Sequence, residues 1–292
     1  MLRRFTYHEP KSMADAIDLL YSYGSAARLI AGGTDLIVKI KHGKDEPDHV
    51  ISLRLVPGLD EISFNGGELR IGAMTTHSSI ARSQAVRDHF SLLADAVENI
   101  GSVQVRNLAT IGGNICNAAP SADTAAPLVA LDAELLVEGP DGEKKIDIKD
   151  FYLGPNESAL AKNEILKEII IPELPVGACS RYVKYSRRKA MDLPLLGMAV
   201  VVVPDSAGAT CKEARIGLTL AAPTPLRTKA AEEYVTEKPL KREIWKEAGA
   251  VAVQESSPRT SFRTTADYRK RIIGALLPRV AFEALERRNE QK

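Results

Sequence analysis

Two glycine pairs, Gly32-Gly33 and Gly112-Gly113, are the residues whose type and spacing could do chemistry in this chain. Each follows an apolar, strand-like run. Each is also flanked by small hydroxyl or amide side chains: Thr34 at the first, and Thr110, Asn114 and Asn117 around the second. Adjacent glycines let backbone N–H groups approach a ligand without interference from Cβ. Thr and Asn add neutral donors, so such loops can hold a diphosphate with little Lys or Arg. Neither loop reads G-x-G-x-x-G or G-x-x-x-x-G-K-S/T, which argues against a Rossmann site and a P-loop nucleotidase. A tight turn explains either pair alone. Two pairs with the same polar surroundings leave the turn and the ligand loop evenly matched.

Other reactive residue types are sparse. Cys116, Cys179 and Cys211 lie too far apart for a C-x-x-C zinc or iron–sulfur framework, and their odd number suggests a reducing compartment. Cys116 reads as a small buried residue rather than a ligand. His8, His42, His49, His77 and His89 show no H-x-H or H-x-x-x-H spacing and read as solvated or capping. Asp45-Glu46 and Glu232-Glu233 read as solvated faces. The basic run Arg181, Lys184, Arg187, Arg188 and Lys189 reads as an exposed loop or as a contact for an acidic subunit or a phosphate. Aromatic interleaving is absent from the basic C-terminal tail after Arg259, so no nucleic-acid site is expected.

The elements that must position these residues come from an ordinary composition. The chain has 292 residues, 45% hydrophobic and 26% charged, with a net charge of +1. That is a folded protein of about two domains with nothing global to steer it to nucleic acid or an acidic membrane. Its 20 glycines are an average number, so their meaning lies in placement. No run approaches the ~18 apolar residues of a membrane span, and Met1–Thr6 lacks the apolar core of a secretory leader. A cytoplasmic location is the expectation.

Ser12 reads as the N-cap of a first helix that Gly24 ends. A strand over Ala27–Ala31 runs into the first glycine pair, and Leu36–Ile40 is helical or extended. Val50–Leu53 reads as a strand, 62–74 as a hairpin, Ser91–Ile100 as a helix and 134–148 as a second hairpin. Ile165–Ile171 is a strand stopped by Pro172. Pro172–Gly177 reads as a linker between an N-terminal domain over 1–173 and a smaller one over 178–292. In the latter, Ala199–Val203 and Arg215–Leu220 are strands and the end is helical, with Pro278 predicting a kink or a break. The class is α+β.

Leu29-Ile30-Ala31-Gly32-Gly33-Thr34-Asp35-Leu36 and Asn107-Leu108-Ala109-Thr110-Ile111-Gly112-Gly113-Asn114-Ile115 resemble two flavin-binding signatures. They are those of the FAD-binding medium subunit of the molybdenum hydroxylases, the xanthine dehydrogenase and carbon monoxide dehydrogenase family. The second signature continues in register through Asn117 to Asp123. Weaker matches at Glu164-Ile165-Leu166, Tyr182–Arg188 and Tyr268-Arg269 carry the resemblance over nearly the whole chain. It implies a two-lobed, PCMH-type α+β FAD-binding domain, with its lobes divided near residue 55. A smaller α+β domain of the carbon monoxide dehydrogenase flavoprotein type would follow.

The resemblance also implies non-covalent FAD. Leu29, Ile30, Ala31, Gly32, Gly33, Thr34, Asp35 and Leu36 would line the pyrophosphate and ribityl groups with Thr110, Ile111, Gly112, Gly113 and Asn114. Asn117 would lie beside them and Ile100 against the adenine. Asp123, Leu166 and Lys184 would reach the FAD, the last two on the isoalloxazine side, with Tyr185 beside the ring. A cation such as Lys184 would stabilise reduced, anionic flavin. Molybdopterin and two 2Fe-2S clusters would sit on a large and a small partner subunit, in a dimer of heterotrimers. Electrons would leave through FAD to an external acceptor, whether NAD, a quinone, ferredoxin or oxygen. The resemblance implies no catalytic residue and no metal site in this chain. It shows no inserted cysteine segment for a further cluster. Two other readings stand beside it. A free-standing FAD-dependent oxidase or dehydrogenase of the same fold would want a covalent flavin link and a capping domain, and neither is identifiable. A scaffold that has lost the cofactor would not need intact loops.

Overall fold

Ser12 opens the first helix, Met13–Tyr23, by accepting the Asp15 N–H on its Oγ at 3.1 Å, and Gly24 closes it at φ +51°. The computed structural model describes residues 4–290; the part of the leader reading that falls on Met1–Arg3 lies outside them. Ala16, Ile17 and Leu20 face a three-stranded parallel sheet ordered Thr6–His8, His49–Ser52, Ala27–Ile30. Parallel strands need crossovers, and the helices Met13–Tyr23 and Leu36–Lys41 supply them. The ambiguous segment after the first glycine pair is therefore helical.

The chain leaves this sheet at Ser52 and enters a five-stranded antiparallel sheet at Ile62. Its order is Ile62–Asn65, Glu68–Gly72, Ile165–Pro172, Glu134–Gly139, Gly142–Asp147. The two hairpins legible in the sequence form its edges. The strand Ile165–Pro172 returns from far along the chain to join them. Leu69, Ile71, Leu135, Val137, Ile169 and Ile171 bury one face of the sheet in a core shared with the helices Ser91–Glu98 and Ala125–Ala130.

A four-stranded antiparallel sheet, Cys179–Tyr185, Leu196–Pro204, Cys211–Thr219 and Leu226–Arg227, begins the C-terminal part. The apolar run Ala199–Val203 is only the middle of Leu196–Pro204, in which every residue is buried. Ala199, Val201 and Val203 join the core of the five-stranded sheet. Met198, Val200 and Val202 join the core beneath the C-terminal helices. A strand covered on both faces reads as a continuous apolar run rather than an alternation.

Three local readings change. Of the kink or break expected at Pro278, the break does not occur: the terminal helix runs over Ala266–Glu290 with Pro278 inside it. Proline cannot donate to the Gly274 carbonyl four residues back. That carbonyl faces Gly249 of the helix Arg242–Glu255, so closely that a Cβ on Gly249 would lie 2.7 Å from it. The close crossing buries Trp245, Ala248, Ile273 and Leu277, and this burial offsets one lost hydrogen bond. Arg181 is not a loop residue: it bridges Asp95 at 3.2 Å and Glu283 at 3.3 Å, while Arg287 meets Asp95 at 2.7 Å. Glu232 is not solvated. It accepts the Ile216 N–H at 2.7 Å and pairs with Arg227.

Candidate functional site

The strand Ala27–Ile30 delivers the chain into Gly32-Gly33, and the strand Glu68–Gly72 leads to the turn against which Gly112-Gly113 packs. Between these loops lies a cleft of about 800 Å³, within the roughly 300–1,000 Å³ of small-molecule sites. Each glycine has its own reason. A Cβ on Gly32 would lie 2.0 Å from the Leu108 carbonyl oxygen, so the two signature segments touch backbone to backbone. Gly33 sits at φ +71°, which other residues adopt only with strain. A Cβ on Gly112 would lie 2.6 Å from Ala73, whose carbonyl accepts the Gly112 N–H at 2.9 Å. Gly32→Ala must therefore push the loops apart. We expect a loss of about 2–3 kcal/mol in urea unfolding together with weakened flavin binding. A variant as stable as the parent would refute the contact.

The two loops differ in what they offer a ligand. In the second, Gly112 donates to Ala73, Gly113 to Thr110 Oγ1 at 3.1 Å and Asn114 to the Thr110 carbonyl at 3.0 Å. Those amides are engaged, so its offering is side chains such as Asn114 and Asn117. In the first, the N–H groups of Gly32 through Leu36 have no acceptor among the described residues. The reading of glycine pairs as exposed amides thus applies to one loop only. In the other, glycine serves backbone packing.

Asp123 lines the same cleft in a buried network. Its carboxylate accepts from Tyr182 Oη at 2.8 Å and from Lys184 Nζ at 2.8 Å, and Lys184 also donates to the Asn99 carbonyl at 2.9 Å. Burial raises the Asp123 carboxyl above the usual range, with Lys184 and Tyr182 pulling it back. Burial likewise lifts the Cys116 thiol to about 12, so this cleft residue is an unreactive thiol. The solvated or capping position expected for His77 does not hold. Instead the residue is 0% exposed in the cleft wall, and neither ring nitrogen has a partner among the described residues. Burial, and then Arg106, hold its imidazole down at about 4, so it is neutral at pH 7.

Of the residues expected at the flavin, sixteen lie in the cleft wall: Leu29, Ala31 through Leu36, Ile100, Thr110, Gly112 through Asn114, Asn117, Asp123, Leu166 and Lys184. Three do not. Ile30 packs over Gly33, where a Cβ would lie 3.1 Å from its Cδ1. Ile111 is fully buried in the core of the five-stranded sheet. Tyr185 turns to the terminal helix, where its hydroxyl meets that of Tyr268 at 3.1 Å. Met191, Asp192 and Leu193, which no motif singled out, reach the cleft from the loop before Leu196–Pro204. His77 and Lys39 also belong to the wall. Thr76 three residues before Ser79 signals a helix start there, and its Oγ1 does cap the Ser79 N–H at 3.1 Å. Burial of the neighbouring ring is set by distant segments and leaves no local signal.

A buried unpartnered imidazole, a first loop of unengaged amides and a cleft of about 800 Å³ between the two glycine loops suit a nucleotide-cofactor-binding protein. Residues 3–174 match the family described as the FAD binding domain in molybdopterin dehydrogenase, and 181–284 match the carbon monoxide dehydrogenase flavoprotein C-terminal domain. The chain is 34% identical over 282 residues to the putative xanthine dehydrogenase FAD-binding subunit XdhB of Escherichia coli K12, covering 96% of each. It superimposes with a TM-score of 0.94 on a chain of carbon monoxide dehydrogenase from Hydrogenophaga pseudoflava, at 36% identity, covering 98% of this chain and 99% of that one. Against a chain of quinoline 2-oxidoreductase from Pseudomonas putida 86 the TM-score is 0.92, at 26% identity and 98% coverage of both. The protein belongs to the family of FAD-binding medium subunits of the molybdenum hydroxylases. Among the described residues, no helix is long and apolar enough to cross a membrane, and no group of three or more His, Cys, Asp or Glu side chains could hold a metal ion.

Proposed function

We propose that this chain holds FAD non-covalently in the cleft and serves as the electron-transfer subunit of a heteromeric molybdenum-containing oxidoreductase. It stands between the 2Fe-2S clusters of a small partner subunit and an external acceptor, with molybdopterin on a large partner. The observation that carries this is the first glycine loop, whose N–H groups have no acceptor among the described residues and which faces a cleft sized for a large ligand. Its family membership fits the same reading. Bound FAD supplies the redox chemistry that side chains lack.

The chain's own residues bind and tune. The amides of Gly32–Leu36 suit an anionic part of the ligand. Thr124 donates to Asn114 Oδ1 at 2.5 Å, orienting that amide so that its NH2 can serve the ligand. Asp123 offsets the Lys184 charge, so the pair is near neutral in the site. Lys184→Ala would remove the cation and leave the Asp123 carboxyl, and the flavin potential should fall in a redox titration; no shift would mean that Asp123 takes up a proton in place of the lost charge. Relatives named for xanthine, carbon monoxide and quinoline share the fold.

The test is purification of the chain alone and with its neighbouring gene products. Yellow protein whose flavin is released by acid, with iron and molybdenum in the co-purified complex, is the expected result. Flavin without metals in any complex would favour a free-standing flavoenzyme. A colourless chain that never takes up added FAD would overturn the proposal.

A further inference from the structure

Among the described residues three cations line the cleft, and two of them are already matched by acids. Arg28 pairs with Asp45 at 2.9 Å and Lys184 with Asp123 at 2.8 Å. The third, Lys39, meets no carboxylate within ion-pair distance among the described residues; its Nζ instead donates to the neutral Asn117 Oδ1 at 2.7 Å. Asp35, one helical turn earlier, is exposed and does not pair with it. Lys39 is half-buried, so water screens its charge only in part.

The position of this cation is specific. Leu36 and Lys39 are three residues apart on the helix Leu36–Lys41, hence on one face, and both line the cleft. The same helix follows directly from the loop whose Gly32–Leu36 amides lack acceptors. Asn117 belongs to the second signature, so the Lys39–Asn117 bond spans from the first lobe to the second. An uncompensated ammonium, five unengaged amides and a cross-cleft amide all line the same cleft. An acceptor-rich dianion answers all three, because charge-assisted hydrogen bonds favour such a group over a neutral one.

We propose that Lys39 binds the diphosphate of the dinucleotide cofactor, with Asn117 holding its ammonium across the cleft. The inference rests on the FAD reading above and adds to it a charged residue that no glycine motif contains. In this arrangement Lys39 favours FAD over phosphate-free flavin and makes its affinity depend on salt.

The test titrates the flavin-free full-length chain with FAD and with riboflavin, following flavin fluorescence at low and high salt. The proteins compared are the parent, Lys39→Met and Lys39→Arg. Lys39→Met should weaken FAD binding by at least about tenfold and flatten its salt dependence, while riboflavin affinity stays unchanged. Lys39→Arg should retain most of the FAD affinity. Equal losses for FAD and riboflavin would mean that Lys39 only braces the lobes through Asn117, and unchanged FAD binding would remove any role; either overturns the proposal. A parent chain that binds neither flavin would instead bring down the underlying FAD reading, and the proposal with it.

Discussion

Asp123→Ala should cost about 3–5 kcal/mol of unfolding free energy, because it strands an ammonium inside the protein. The side chains of Lys184 and Asp123 are 7% and 6% exposed, and Asp123 also takes the Tyr182 hydroxyl. Removing Asp123 leaves a buried ammonium with only the Asn99 carbonyl, at 2.9 Å, to offset its desolvation. Removing both leaves two apolar side chains of similar volume. The double variant Asp123→Leu/Lys184→Met should therefore recover more than half of the loss in urea unfolding. A double variant as unstable as Asp123→Ala would show that Asp123 stabilises through some other contact. The same geometry tempers the notion of Lys184 as a lone cation beside the flavin.

The second large effect is acid sensitivity at His77. Its imidazole titrates at about 4 in the folded chain, against about 6.5 unfolded. Between those values the unfolded chain binds the extra proton and the folded chain does not, so stability rises with pH across that window. The contribution is fully present above pH ~6.5 and is lost as pH falls toward ~4. At about 1.4 kcal/mol per pH unit it amounts to about 3 kcal/mol. Unfolding of the parent and of His77→Gln, each at neutral and at acid pH, isolates this share. The variant should lose less stability on acidification by roughly that amount. Identical losses in the two proteins would mean that His77 charges freely while folded.

The lesson of the glycine pairs is that the sequence located them and misassigned part of their physics. All four lie at the cleft. Gly32 and Gly112 are required by neighbouring backbone at Leu108 and Ala73, contacts between residues distant in sequence. No local pattern encodes that approach. The same holds for Arg181 and Glu232, whose partners Asp95, Glu283 and Arg227 become neighbours only on folding. Tyr185 is a similar case. Strand alternation turns it away from Lys184 and toward Tyr268, outside the cleft lining, and no local pattern signals that.

Helix caps, hairpins and strand runs were legible because each depends on residues a few positions apart: Ser12 with Asp15, Asn65 through Gly67, the apolar run Ile165 through Ile171. The two signatures likewise gave the family, since they are contiguous words. Only the tertiary structure decided which cations stay uncompensated, which amides remain free and which imidazole is buried. Charge compensation and desolvation depend on distance in space. Lys39 lies in no motif and Lys184 in a basic run, and neither setting tells that one meets the neutral Asn117 and the other Asp123 across the fold.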